Sequence, residues 1–252
     1  GEMLPPFMSD LTALQDLELS NFRGSSLNRD GMREVVSHLS LLTQLTKLHA
    51  YNVLDGRDEG SVLGLCELIL SLPHLTSLQL PSNDLTPKSI EKLCESIFQL
   101  SGLTYMDLSR STLDEASMKV LGKVVAHLPI PHLDLEETTW ESGGFEALIA
   151  QFDDWSHLKS LNLNSGWAKI SEENSTQLGT QLSKLTSLIL LDIRCCKPDD
   201  YLTLLVPLKS LPLQVLFLNA PEQGEATLKE AFPSKCVVYY DGDSGGDDGY
   251  FL

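Results

Sequence analysis

Basic residues are scarce in this chain: 18 Lys plus Arg stand against 35 Asp plus Glu over 252 residues, a formal net charge of −17. Binding to nucleic acid needs clustered positive charge to displace counterions from phosphates. The balance therefore argues against nucleic acid and equally against anionic membrane, and it favours a protein partner of basic character. Cysteines are few and odd in number: Cys66, Cys94, Cys195, Cys196 and Cys236. Their spacing forms neither a disulfide framework nor a zinc site. No apolar run approaches the roughly 20 residues that cross a bilayer, and no leader of signal-peptide form opens the chain. No Gly-rich loop follows a strand in phosphate-cradling form, and no nucleophile elbow frames a serine. Catalytic residues, cofactors and metal ligands are therefore not expected.

What is present is leucine at a fixed interval. A phrase of the form Leu-x-x-Leu-x-Leu recurs as Leu14/Leu17/Leu19, Leu45/Leu48/Ala50, Leu75/Leu78/Leu80, Leu103/Met106/Leu108, Ile130/Leu133/Leu135, Leu158/Leu161/Leu163, Leu188/Leu191/Ile193 and Leu213/Leu216/Leu218. Successive copies start 31, 30, 28, 27, 28, 30 and 25 residues apart. A period in this range marks a solenoid, in which each unit buries its apolar face against its neighbours.

The copy from Leu75 to Leu103 shows the plan. Leu78-Gln79-Leu80 alternates as a strand does. Asn83 stands at the following turn, where its amide can satisfy backbone groups that an apolar residue could not. Thr86-Pro87 supplies an N-cap and a first-turn proline. Ile90, Leu93, Cys94, Ile97 and Phe98 then recur at helical spacing. The same reading places helices near 30–41, 58–71, 114–128, 142–152, 171–185, 199–208 and 223–232. Cys66 and Cys94 each lie nine residues before the next phrase, in one column with Val36, Leu121, Ile149, Gly179 and Leu204. That column is apolar, so both are read as buried free thiols, which points to a reducing, cytoplasmic compartment.

The longer pattern resembles leucine-rich repeats of the ribonuclease-inhibitor type. The resemblance runs from about Leu11 to Phe232. It implies an α/β leucine-rich repeat solenoid, a horseshoe of about eight repeats, with a parallel sheet on the concave side and helices on the convex side. The departure lies in the turn column Phe22, Val53, Asn83, Ser111, Thr138, Gly166, Cys196 and Pro221, where only two residues match the family's Asn/Cys pattern. Irregular turns are the expectation there. Residues 1–10 read as the end of a preceding repeat or an artificial start, 11–240 as one repeat domain, and 241–252 as a flexible acidic tail. Cys236-Val237-Val238-Tyr239-Tyr240 reads as a last strand that covers a sheet edge.

Candidate binding residues come from the strand positions between the leucines. Asp107, Asp134, Glu136 and Asp192 make an acidic middle, flanked by Tyr105 and His132. Leu190, Val215 and Phe217 make an apolar stretch where polar side chains are expected, as a partner site would. The competing reading of that stretch is cover by Tyr250-Phe251-Leu252 of the tail. His49, His132 and Asp134 could share a face, but their spacing has no metal-site form. Asp241, Asp243 and Gly246 fit a calcium loop, whereas Gly245 and Leu252 stand where it needs ligands, so a solvated tail is the preferred reading. The sequon Asn174-Ser175-Thr176 falls in an expected helix and is read as chance.

The resemblance implies three functions. In NOD-like receptors such repeats form a C-terminal sensing and autoinhibitory segment that contacts upstream domains of a longer chain, which fits a start in mid-repeat. Ribonuclease inhibitor itself is an acidic, stand-alone binder of a basic protein, and bacterial effectors use such repeats to bind host proteins. Ran GTPase activators use polar loop residues, for which Asn21-Phe22-Arg23 and Asp192-Ile193-Arg194 are the nearest candidates. The preferred expectation is a non-enzymatic protein-binding domain.

Overall fold

The computed structural model describes residues 11–20, 27–141, 143–164, 172–194, 201–219 and 236–240. The expected preceding repeat at 1–10, the helix at 223–232, the acidic tail at 241–252, Cys195, Cys196 and Asn21-Phe22-Arg23 lie outside these residues. Two compact units emerge, one of residues 1–130 and 138–148, the other of 131–137 and 149–252. Each is a leucine-rich repeat solenoid, with one parallel strand per phrase and helices between most strands.

In the first unit the phrase strands are β1 (Asp16–Ser20), β2 (Lys47–Tyr51), β3 (Ser77–Gln79) and β4 (Tyr105–Asp107). They pair in sequence order and in parallel, so that Lys47, Ser77 and Tyr105 stand side by side. The phrase residues of β2 to β4 are buried, while Leu14, Leu17 and Leu19 of the first copy remain half-exposed. Between the strands run α1 (Arg29–Leu39), α2 (Glu59–Ser71) and α3 (Pro87–Ile97), followed by α4 (Glu115–His127). Their starts are written in the sequence. Asn28, Asp58, Thr86 and Asp114 each accept a backbone N–H from the first turn, and Asp114 forms a reciprocal capping box with Ser117. Such caps satisfy N–H groups that a helix cannot bond internally. Cys66 and Cys94 are buried free thiols, as their column requires. Burial pushes the Cys94 thiol up to about 12, which keeps it protonated and unreactive.

Asn83 organises the turn after β3. Its Oδ1 accepts from the backbone N–H groups of Val53 and Leu54 at 2.8 and 3.0 Å, and its Nδ2 donates to the carbonyls of Ala50 and Pro81. Elsewhere the turns are more regular than the missing asparagines suggest. Asn52, Ser82, Arg110 and Glu137, each seven residues after the start of its phrase, all adopt positive φ between 50° and 59°. The backbone repeats even where the side chain does not. A short parallel pair, β5 (Thr112–Leu113) with β7 (Thr139–Trp140), adds a second small sheet that periodicity did not announce.

In the second unit β6 (His132–Asp134), β8 (Ser160–Asn162), β9 (Leu190–Asp192) and β10 (Val215–Leu218) pair in parallel, and β11 (Val237–Tyr240) pairs with β10. The expected last strand is thus in place. Its helices are α6 (Glu172–Leu182), as long as α1 and α3, and the short α7 (Tyr201–Leu205), with 3-10 turns at Phe152–Asp154 and Val206–Ser210; the six-residue α5 (Gly144–Ile149) belongs to the first unit up to Leu148. After α5, Phe152 and Trp155 are fully buried against each other, and two large rings fill space that extra helical turns fill elsewhere. α6 approaches α7 so closely that a Cβ at Gly179 would collide with the Leu204 carbonyl oxygen, which is why glycine stands in that otherwise bulky column.

Candidate functional site

Strand side chains point alternately to the core and to the open face of the sheet. In the first unit the open face is polar. Its rows are Asp16, Lys47, Ser77, Tyr105 and Glu18, His49, Gln79, Asp107. Tyr105 is half-buried. Asp16 and Lys47 approach to 3.8 Å, but both are exposed, and such a pair contributes little. Asp107 does not stand free at the surface. It is buried, and its Oδ1 accepts the Ser109 backbone N–H at 2.8 Å. Burial raises its carboxyl above the usual range, against the lowering effect of Ser109 and of nearby His49.

The second unit repeats this device. Asp134, Asn162 and Asp192 occupy one row of β6, β8 and β9. The Oδ1 of each accepts the N–H two residues on: Glu136 at 2.9 Å, Asn164 at 2.9 Å and Arg194 at 3.1 Å. Asn162 Nδ2 also donates to Asp134 Oδ2 at 3.2 Å. The expectation that Asp107, Asp134 and Asp192 form an exposed acidic patch is therefore corrected. Each stands at the end of its strand, where the chain turns and a short polar side chain folds back to bond its own backbone. They position the residues that follow them.

In the second unit those residues, Glu136, Asn164 and Arg194, form a second row that Asn219, two residues after Phe217, continues. Glu136 is half-buried and takes a hydrogen bond of 3.0 Å from Asn164 Nδ2; burial, with Asp192 and Glu137 nearby, raises its carboxyl above its ordinary value. Arg194 grips the fully buried Asp192 with two nitrogens, Nε at 3.1 and 3.0 Å and Nη2 at 2.7 Å. Asn219 Nδ2 donates to the Arg194 carbonyl. His132 is half-buried, and burial together with Lys159 lowers its pKa, so it is neutral at physiological pH.

Beside this rail the face turns apolar. Leu190, Val215 and Val237 are neighbours across β9, β10 and β11, and Asp192, Phe217 and Tyr239 form the next row. Phe217 and Tyr239 stack at 5.0 Å, 18° apart, and the Arg194 guanidinium lies over the Phe217 ring, 5.2 Å from its centre. The rings are thus partly sheltered by β11. The proposed tail cover lies outside the described residues. Leucine spacing picked out Leu190, Val215 and Phe217; it named Arg194 only beside Asp192-Ile193 and Tyr239 only as part of the last strand, because their roles here depend on pairing with neighbours in other repeats. Among the described residues no group of three His, Cys, Asp or Glu side chains could hold a metal ion, and no helix is long and apolar enough to cross a membrane.

No protein-family model matches the sequence, and no curated protein matches it. Solved structures do resemble it in fold. An internalin C2 from Listeria monocytogenes aligns with 19% identity and a TM-score of 0.48, over 84% of each chain. An internalin, inlF, from the same organism aligns with 15% identity and a TM-score of 0.45, over 86% of this chain and 64% of that one. TLR13 in complex with ssRNA13 aligns with 18% identity and a TM-score of 0.47, over 73% of this chain but only 23% of that one.

Proposed function

We propose that this chain is a protein-binding recognition domain that works through the open sheet face of its second unit. The observation that carries the reading is the row Leu190, Val215 and Val237 beside the stacked pair Phe217 and Tyr239. Outward strand positions are polar throughout the first unit, and a contiguous apolar and aromatic patch is the usual anchor of a protein interface. Arg194 borders it, and His132 and Glu136 stand two strands away on the same face as polar groups that fix register. Tyr105 in the first unit supplies an amphipathic contact of the same kind, while Asp107, Asp134 and Asp192 hold the turns in place.

The more specific reading is a ligand-sensing and autoinhibitory repeat segment of a cytosolic innate-immune receptor of the NOD-like kind. Its support is the repeat pattern together with the buried free thiols Cys66 and Cys94, which suit a reducing compartment. The alternative, an inhibitor or scaffold of a basic protein, is favoured by the net charge of −17.

A photocrosslinking amino acid at Val215 tests the binding face. On irradiation in cytosolic extract it should give discrete adducts. Added unlabelled protein should suppress them, and the Leu190→Asp/Phe217→Asp variant should not. Adducts suppressed equally by both competitors would sink the assignment.

A further inference from the structure

The helix side of the first unit carries an apolar patch of its own. Among the described residues, four of the seven exposed large hydrophobic side chains lie there: Leu41 at 53% exposure, Leu63 at 46%, Leu70 at 54% and Phe98 at 39%. They are ordered by the repeat. Leu70 and Phe98 each stand five residues before the next phrase, and Leu41 stands four before its own. Because β2, β3 and β4 pair in register, these three occupy the same end of three stacked repeats. Leu63 lies two turns before Leu70 on the same stripe of α2. Phe98 is backed by the His127 ring, stacked at 4.1 Å and 12°.

The surroundings are negative. Glu67 stands on the α2 stripe between Leu63 and Leu70, and Glu95 takes the equivalent place one turn before Phe98. Glu91 holds the place on α3 that Leu63 holds on α2. Neither α2 nor α3 has a basic residue in its last turn, whereas α1 and α4 end with His38 and His127. The partial negative charge of those two helix ends is therefore uncompensated, beside carboxylates of the same sign. Lys92 is engaged by Glu59, away from the patch.

We propose that this patch docks a basic amphipathic helix, laid across α1, α2 and α3. The spacing fits. Neighbouring packed helices lie about 10 Å apart. Seven residues of a helix advance about 10.5 Å. Apolar residues at heptad intervals on the incoming helix meet Leu41, Leu70 and Phe98 in turn, and flanking lysines or arginines face Glu67, Glu91, Glu95 and the helix ends. A second copy of the chain is disfavoured, since two partners of net charge −17 repel. The patch is separate from the sheet face of the second unit, and neither assignment depends on the other.

Fluorescence anisotropy with a labelled 18-residue peptide tests this. The peptide carries leucine at heptad positions and lysine on its remaining faces, and a matched peptide carries glutamate for lysine. The lysine peptide should bind and the glutamate peptide should bind at least tenfold more weakly. Leu70→Ser/Phe98→Ser should weaken binding at least tenfold, Glu67→Lys/Glu95→Lys should do the same and flatten the salt dependence, and circular dichroism of all variants should match the parent. Leu190→Asp/Phe217→Asp should leave peptide binding unchanged. Equal binding of both peptides, insensitivity to the patch variants, or a protein dimer in sedimentation that Leu70→Ser/Phe98→Ser dissolves would each overturn the proposal.

Discussion

The two units share a backbone and differ in the side chains that reinforce it. At the start of β2, β3, β4, β8, β9 and β10 one carbonyl accepts two successive N–H groups from the next repeat, a pair that β6 cannot form because Pro131 has no N–H. In the first unit the acceptors are Gln15, Thr46 and Thr76; in the second they are Pro131, Lys159 and Ile189. The first unit adds a hydroxyl to each. Thr46, Thr76 and Thr104 donate Oγ1–H to those same carbonyls at 2.9 to 3.1 Å. The second unit has Lys159, Ile189 and Gln214 at these positions, and among the described residues none of them makes such a bond. It reinforces the strand exits instead, through Asp134, Asn162 and Asp192, a device that in the first unit Asp107 alone shares among the described residues. One unit is thus stitched by neutral groups and the other largely by ionised ones. The neutral stitches tolerate changes of pH and salt; the ionised ones are stronger and leave a costlier defect when one partner goes.

Asn83→Ala is the harshest break in the first unit. It removes the acceptor of two buried N–H groups and the donor to two carbonyls, at about 1–3 kcal/mol for each buried group left unpaired. A loss of about 4 kcal/mol is expected in urea unfolding, with faster amide exchange at Val53 and Leu54. A loss below about 1 kcal/mol would mean that water replaces the amide there.

In the second unit Asp192→Ala strands the Arg194 guanidinium and its backbone N–H together. The expected loss is about 3 kcal/mol. Arg194 should also leave the Phe217 ring, so ring-current shifts of Phe217 in the NMR spectrum should change. Unchanged shifts would show that the ring, and not the carboxylate, holds the guanidinium.

Thr76→Val probes the neutral stitching. It keeps shape and deletes one hydroxyl bond at a partly exposed site, for an expected loss of about 1 kcal/mol. The loss should be the same at mildly acidic and mildly basic pH, which a contribution from a titrating group would not be.

The repeat itself was fully legible, because leucine at a fixed period has only one way to be buried along a solenoid. All eight phrases lie on parallel strands, and Asn28, Asp58, Thr86 and Asp114 mark helix starts by chemistry that acts locally. The acidic residues were misread for a physical reason. Alternation sends the side chain at the end of each strand outward, but the turn immediately after it brings a backbone N–H within reach, and the carboxylate folds inward. The sign was present: Asp107, Asp134, Asn162 and Asp192 recur at one column with Asn among them, and an amide that substitutes for a carboxylate speaks for hydrogen bonding rather than charge. The left-handed turn residues carried no sign at all. Asn52, Ser82, Arg110 and Glu137 have nothing in common but their position. Phe152 and Trp155 likewise replace helix by packing, which no period reveals.

The mildest expected change separates hydrogen bonding from charge within that column. Asp107 has no cation gripping it as Arg194 grips Asp192, and burial raises its carboxyl. A carboxyl whose folded pKa lies above the unfolded one favours the folded state fully below the unfolded value, and that contribution is lost as pH rises through the folded value. At neutral pH the protein therefore carries the cost of a buried charge at this position. An asparagine side chain in its place would keep an oxygen for the Ser109 N–H, as Asn162 does for Asn164, without that charge. Asp107→Asn should stabilise the first unit by somewhat under about 1 kcal/mol at neutral pH. The gain should shrink as pH falls and vanish below about 4, where the unfolded aspartate is itself protonated. Asp192→Asn, made alongside, should destabilise at neutral pH because it weakens the hold on Arg194. If both substitutions moved stability in the same direction, the distinction between a neutral and an ionic use of this column would fail.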